Sequence, residues 1–253
     1  MKLMSIKNKI EHIFRIYFPK RLNNHGQFIK HLENKNGIEI GGPTSHFDTN
    51  GFLPIYKSIK SLDNVNFSSN TVWEGNLSEG SNFKFGNKTG KQFITEASNL
   101  NSILDSTYDF LLSSHNIEHL ANPINSILEW KRVVKPNGCF LFVLPNKEGT
   151  FDHKRPITTI DHLEDDFTRG TEENDETHFE EIFALHDLSK DPSGIDFDTF
   201  KNRTLNNMEN RCVHHHVFDL ELIRNLADKT NIEIIRLEKF SKIHLVMLGK
   251  NLK

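Results

Sequence analysis

Gly37-Ile38-Glu39-Ile40-Gly41-Gly42-Pro43 constrains this chain more than any other stretch. A short apolar run stops at two glycines and a proline, which reads as a buried strand breaking into a tight turn. Glycine tolerates positive φ and lets the backbone come close to a ligand. In an open α/β sheet, ligands bind in the crevice beyond the carboxyl ends of the strands. Glu39 is the only acid in the run, and a buried carboxyl needs a polar partner. A plain strand-to-loop turn is the rival reading, because a glycine pair alone is not a specific motif.

The stretches that follow alternate between strand and helix patterns. Ile59 to Val65 reads as a second strand. It carries Asp63-Asn64 about twenty residues after the glycine turn, where a dinucleotide-type fold places the acid that holds a ribose diol. An Asp-Asn turn is the alternative. Residues 67–90 are rich in Ser, Asn and Gly and read as loop. Phe93-Ile94-Thr95 is a short third strand ending at Glu96-Ala97. Tyr108 to Ser113 is an apolar strand that runs straight into Ser114-His115-Asn116-Ile117-Glu118-His119. Asn122-Pro123 then gives an N-cap with proline at the first helical position. The helix turns Ile124, Ile127, Leu128, Val133 and Val134 inward and stops at Pro136-Asn137-Gly138. Cys139 to Leu144 is continuously apolar, as in a parallel sheet covered on both faces. Asp219 can cap a helix over 220–229, and 232–237 with 243–249 suit an antiparallel hairpin. The alternation predicts an α/β, Rossmann-like doubly wound sheet. Its divisions are an N-terminal helical segment (1–35), a core (36–146), an inserted helical lid (147–211) rich in charge and histidine, and a C-terminal helix and strand pair (212–253).

Composition narrows the function classes. The 253 residues fit one large domain or two small ones. A net charge of −3 gives no general attraction to nucleic acid, and no basic patch interleaved with aromatics is evident. Two cysteines, Cys139 and Cys212, make no disulfide framework and read as reduced thiols of a cytoplasmic protein. No apolar run approaches the roughly 20 residues of a membrane helix, and no signal peptide is visible. Residues 5–18 space Ile6, Ile10, Ile13, Phe14, Tyr17 and Phe18 as one helical face, with Pro19 ending the helix. Packing on the domain is the expected use of that face. Peripheral contact with a membrane is the alternative.

Taken together, these residues resemble a class I S-adenosylmethionine-dependent methyltransferase of the broad type 11 group. The likeness rests on Ile38-Glu39-Ile40-Gly41-Gly42, Asp63, Glu96-Ala97, Tyr108-Asp109-Phe110-Leu111-Leu112, Ile117-Glu118-His119-Leu120 and Lys131 to Gly138, and covers about residues 36–146. The segments Asp63 to Phe67 and Phe151 to Pro156 look most like members from bacterial surface-polysaccharide, or capsule, gene clusters. The resemblance implies a seven-stranded sheet whose last strand is antiparallel, with S-adenosylmethionine as cofactor. It implies that the backbone around Gly41, Gly42 and Pro43, beside Glu39, approaches the methionine moiety. Asp63, with Asn64, would accept from the ribose hydroxyls, Glu96 and Ala97 would lie by the adenine, and Ser114 and His115 would flank the methionine end. The usual glycine loop is G-x-G. Here proline follows the two glycines, removing an N–H and fixing φ. That departure motivates a rival reading, a non-catalytic scaffold that keeps the fold.

Methyl transfer to a hydroxyl requires in-line orientation and help in removing a proton. Histidine suits the proton role, and the chain has fourteen. His119 and His115 are the first candidates for the base, with His153 and His215 in reserve. Loop histidines that only cap or pack are the plain alternative. His115 to His119 also has the H-x-x-E-H spacing of a zinc-protease class, but it comes directly off a strand. A milder option is a divalent ion held by His115, Glu118 and His119, joined by a histidine from 214–216. After the fifth strand, Lys154 and Arg155 could grip a phosphate or carboxylate, with His215 beside the acceptor. The expected activity is O-methylation of a sugar, phosphoryl or phosphoramidate group on a glycan precursor.

Overall fold

The computed structural model describes residues 20–253. The amphipathic segment 5–18 lies outside the described residues. One mixed sheet organises the rest, in the order β5-β6-β2-β1-β7-β8-β10-β9. Its strands are β1 (Asn36–Ile40), β2 (Ser61–Asn66), β5 (Gly80–Phe85), β6 (Lys88–Ile94), β7 (Tyr108–Ser114), β8 (Val134–Pro145), β9 (Ile232–Phe240) and β10 (His244–Asn251). Strands β6, β2, β1, β7 and β8 run parallel. β10 pairs antiparallel with both β8 and β9. The expected α/β sheet with an antiparallel last strand is therefore present, but it has eight strands where seven were expected.

The eighth strand comes from the stretch read as loop. Residues 67–90 fold into a two-stranded ribbon, β3 (Asn70–Thr71) with β4 (Gly75–Asn76), and then into β5, which pairs antiparallel with β6. Phe83 and Phe85 bury one face of β5, and their alternation with polar residues is the two-residue strand period. The Ser, Asn and Gly around them masked that period.

β8 shows why the sheet needs cover on both sides. Phe140, Phe142 and Leu144 enter one apolar cluster, while Cys139, Leu141 and Val143 enter the other. The first face is covered by α2 (Pro123–Val133) and α7 (Leu220–Lys229), through Ile124, Ile127, Trp130, Leu222, Ile223 and Leu226. The second is covered by short α1 (His25–Ile29) and the irregular 44–60 connection, through Phe28, Leu32, Phe47, Leu53 and Ile55. The predicted caps are present. The Asn122 side chain accepts from Asn125 N, with Pro123 at the first helical position, and the Asp219 side chain accepts from Leu222 N. Pro136-Asn137-Gly138 is the expected turn, with Asn137 at φ 62°, and it bulges from the start of β8.

Residues 147–211 form α3 (Ile160–Arg169), α4 (Phe179–Leu185), α5 (Phe197–Leu205) and α6 (Asn207–Asn210). Helices α4 and α5 share a small apolar cluster of Phe179, Ile182 and Phe200, which Val213 completes. Among the described residues, no helix is long and apolar enough to cross a membrane. Both cysteines are free thiols, with Cys139 buried.

Candidate functional site

A cavity of about 530 Å3 opens beyond the carboxyl ends of β1, β2 and β7, within the range of small-molecule sites. Its floor is the glycine turn. Gly41 has φ +76°, and a Cβ there would meet the Asn116 amide. At Gly42 a Cβ would fall 2.3 Å from the Glu39 carboxyl carbon. The Gly42-Pro43 peptide is cis. Only glycine lets the chain pass over Glu39 here.

Glu39 is 1% exposed and has the polar partner expected of it. The Tyr56 hydroxyl lies 3.0 and 2.8 Å from its two oxygens, and Thr44 N donates to it at 3.3 Å. Burial pushes its pKa up to about 8 against those hydrogen bonds. Glu39 thus supports the loop from below and does not line the cavity. Asn64 is also fully buried, and it grips Gly42 from the neighbouring strand.

Asp63 departs from expectation. It does not line the cavity. Its register partner is Ile38, two residues before the end of β1. Its carboxylate accepts from Lys91 N at 2.8 Å and from the Tyr108 hydroxyl at 2.8 Å. The place expected of it, at the end of β2, belongs to Asn66, which does line the cavity. Gly41, Pro43, Glu96, Ala97, Ser114, His115 and His119 line it, whereas Gly42, expected beside the methionine moiety, is packed on Glu39 and Asn64 and does not. Glu96 is held by Arg211, at 2.6 Å, and Arg211 also reaches Glu173 at 3.4 Å. Thr44, His46, Asn66, Trp73, Glu74, Asn116, Glu173 and Arg211 complete the wall and were not foreseen. Trp73 sits on the β3–β4 turn inside the stretch read as loop, and Arg211 stands 115 residues from its partner Glu96. Only the aromatic and charged identity of these residues could have flagged them.

The side of the cavity beyond β7 holds a buried carboxyl. Ile117–His119 is a single 3-10 turn, so His115 and His119 do not sit one α-helical turn apart as in a zinc protease. Glu118 points inward and is 0% exposed, and neither of its oxygens has a hydrogen-bond partner among the described residues. Three histidine nitrogens face its Oε1: His115 Nδ1 at 3.7 Å, His119 Nε2 at 3.9 Å and His214 Nε2 at 4.0 Å. His119 Nδ1 lies 2.9 Å from Val213 O. A carbonyl only accepts, so Nδ1 carries the hydrogen and Nε2 is left as a lone pair. His214 Nδ1 lies 2.5 Å from Asp152 Oδ2, which puts a hydrogen on Nδ1 and turns Nε2 toward Glu118.

Electrostatics follow from that burial. Burial raises Glu118 to about 7, opposed by His214. Burial also lowers His119 and His115 well below the ordinary value, and neighbouring histidines add to this. Burial works against protonating His214, but Asp152 outweighs it and raises that pKa. His115 is shared with a second group: its Nε2 is 2.9 Å from His244 Nδ1, and the His46 ring packs against both. Glu118, His119 and His214 offer ligand atoms within 4.8 Å of one another, as do His46, His115 and His244. The expected set of His115, Glu118 and His119 is thus divided between two clusters, and His214 is the histidine that joins Glu118.

The acceptor residues predicted after β8 do not reach the cavity. Arg155 is 1% exposed and donates to Glu181, Asp152, His214 O and His215 O. His215 is 0% exposed and pairs with Asn207. His153 is tied to Asp187 at 2.7 Å, and the exposed Lys154 reaches the same carboxylate at 3.9 Å. The sequence carries no sign that the chain turns inward at Arg155, because apart from Asp152 its partners come from residues 181 and 214–215.

A family profile described as "Methyltransferase domain" matches residues 66–142. Among solved structures, the chain is similar to an S-adenosylmethionine-dependent methyltransferase from Mesorhizobium loti, with TM-score 0.50 at 10% identity over 93% of this chain and 99% of that one. It is also similar to one from Methanosarcina mazei, with TM-score 0.48 at 18% identity over 89% and 97%. No curated protein matches.

Proposed function

We propose that the chain is a class I S-adenosylmethionine-dependent methyltransferase, as the methyltransferase-domain match over residues 66–142 supports, and that it methylates a sugar hydroxyl on a precursor of a bacterial surface glycan. One observation carries the reading: the orphaned, fully buried Glu118 carboxyl, faced by three histidine nitrogens at the cavity's edge. Such a group handles a proton or a cation, and a hydroxyl acceptor needs one of these because it must lose a proton on methylation.

The residues present fit the cofactor. Left-handed backbone at Gly41 and a cavity of about 530 Å3 suit close backbone approach to a bulky ligand. Gly41, Pro43, Asn66, Glu96, Ala97 and Ser114 would hold it. When bound, it supplies a methyl group on a sulfonium, open to attack by oxygen. His119 takes the acceptor's proton on Nε2, since Val213 O keeps the other nitrogen protonated. Glu118 then compensates the imidazolium, while Asp152 fixes the tautomer of His214.

Thr44, Asn116 and Trp73 offer hydroxyl, amide and aromatic surface that suits a neutral hydroxylated acceptor. The cavity's only cationic lining residue among those described, Arg211, is already flanked by Glu96 and Glu173. A phosphoryl or phosphoramidate acceptor is the weaker form of the proposal, because Lys154 and Arg155 stand away from the cavity. The glycan context rests on the likeness of Asp63–Phe67 and Phe151–Pro156 to enzymes of such clusters.

A second reading places a divalent ion among Glu118, His119 and His214, favoured by the same orphaned carboxyl. One experiment tests both. Labelled methyl transfer is followed to a panel of nucleotide-activated sugars, for wild type and His119→Ala, with and without chelator. Label on a sugar oxygen, lost in the variant, supports the proposal. Label on nitrogen, carbon or phosphoryl oxygen, or full activity in the variant, sinks it. Chelator-sensitive turnover restored by added metal selects the ion over the proton relay.

A further inference from the structure

A different cluster lies where the 147–211 insertion meets the core, and none of its residues lines the cavity. His162 and Asp166 stand four residues apart on α3, so they share a face. His178, just before α4, and His216, on the segment leading to α7, converge on them. His162 Nε2 is 3.2 Å from His178 Nε2 and 3.3 Å from Asp166 Oδ2. His216 Nε2 is 3.1 Å from the same Oδ2.

These separations have a geometric meaning. Ligands at about 2.0–2.1 Å from a four-coordinate ion stand about 3.3 Å apart. Three ligand–ligand edges here already have nearly that length, and all four atoms lie within 4.8 Å of one another. The outer contacts agree. His216 Nδ1 is 3.1 Å from Leu120 O, so that nitrogen carries the hydrogen and Nε2 presents a lone pair toward a carboxylate oxygen. Two acceptors face each other at 3.1 Å inside the protein, His216 being 1% exposed. A second ring proton would put a charge in a buried imidazole, whereas a bound cation answers both groups. Asp166 Oδ1 in turn accepts from Thr171 Oγ1 at 3.1 Å. Hydrogen bonds of this outer kind orient metal ligands and fix their tautomers.

We propose that His162, Asp166, His178 and His216 bind a zinc ion in a closed, four-coordinate structural site that fastens the insertion to the core. Three imidazoles and one carboxylate suit zinc over magnesium or calcium. The site goes beyond the methyl-transfer reading and does not depend on it.

The test uses the full chain. Wild type, His162→Gln and His119→Gln are stripped with a chelator and titrated with cobalt(II), with zinc content measured before stripping. The expected result is bound zinc as purified and intense visible cobalt bands of four-coordinate type. These should persist in His119→Gln, which separates the site from the cavity cluster. Affinity should fall roughly tenfold or more in His162→Gln. That side chain is 39% exposed, so its loss perturbs folding least. Wild-type cobalt affinity in His162→Gln, or only a weak six-coordinate spectrum in wild type, overturns the proposal. A second measurement needs no variant. Chelation should speed proteolytic cleavage between residues 170 and 178 of wild type, and unchanged cleavage overturns the fastening role.

Discussion

Asn64 holds Gly42 by both backbone groups: its Oδ1 accepts from Gly42 N at 2.9 Å, and its Nδ2 donates to Gly42 O at 2.9 Å. The clamp joins the end of β1 to β2 through a fully buried amide. A residue expected to touch the cofactor therefore acts on the turn beneath it. Replacing Asn64 with leucine leaves both Gly42 groups unpaired, at a cost of about 2–3 kcal/mol. Urea unfolding should show that loss, and calorimetry should show S-adenosylmethionine affinity falling with it. Unchanged affinity would mean that the turn keeps its shape without the clamp.

Asp63→Ala should behave differently. Its carboxylate serves Tyr108 and Lys91 and faces away from the cavity. Stability should drop by about 1–2 kcal/mol while cofactor affinity stays near wild type. Asn66→Ala should show the converse. Cofactor binding by each variant, read beside its unfolding midpoint, decides between them.

Glu39 makes stability depend on pH. Burial holds its folded pKa at about 8 against an ordinary 4.5, so between those values the folded state keeps a proton that the unfolded chain releases. The stabilisation is complete below pH 4.5 and is lost as pH rises toward 8. Glu39→Gln escapes that loss and can still accept from Tyr56. Its stability relative to wild type should therefore improve from pH 5 to pH 8, by a few kcal/mol at most at roughly 1.4 kcal/mol per unit. A gap of the same size at both values would show that Glu39 does not titrate in this range.

Trp73 and Trp130 are the only tryptophans. Trp130 is buried under the sheet with its indole N–H on Ala97 O, while Trp73 is 54% exposed on the cavity wall, edge-on to His119. Adding S-adenosylhomocysteine should change the emission of wild type, and Trp73→Phe should abolish the change. A response that survives in Trp73→Phe would assign it to Trp130.

His119→Ala should bind cofactor as wild type does and turn over about a hundredfold more slowly. Equal losses in binding and turnover would make His119 a wall residue instead of the base.

The sheet was legible because β1, β7 and β8 are short apolar runs bounded by glycine, histidine or proline, and because Asn122 and Asp219 cap their helices with local chemistry. The floor of the cavity was legible for the same reason: Gly41 and Gly42 announce a backbone that no side chain could follow. β5 was hidden because only Phe83 and Phe85 mark its period. The acceptor wall was misread where burial depends on distant partners. Arg155 looks like a surface cation until Glu181 and the 214–215 carbonyls close around it. Glu118 and His119 were found from their place after β7, but His214 joins them through a fold that no local pattern encodes.

The enclosure of Arg155 also bears on how this protein can be rebuilt. Its guanidinium is out of water and depends on the carboxylates of Asp152 and Glu181 and on the carbonyls of His214 and His215, so removing both carboxylates strands a positive charge, whereas exchanging Arg155 together with them need not. Asp152 and the His214 carbonyl both sit on that cation, and Asp152 and the His214 ring also form the chain of contacts leading to Glu118. A chimera that borrows only the 147–211 stretch would cut this knot in two. The transplantable piece runs from residue 152 through His216, and a library that shuffles acceptor preference should move it whole.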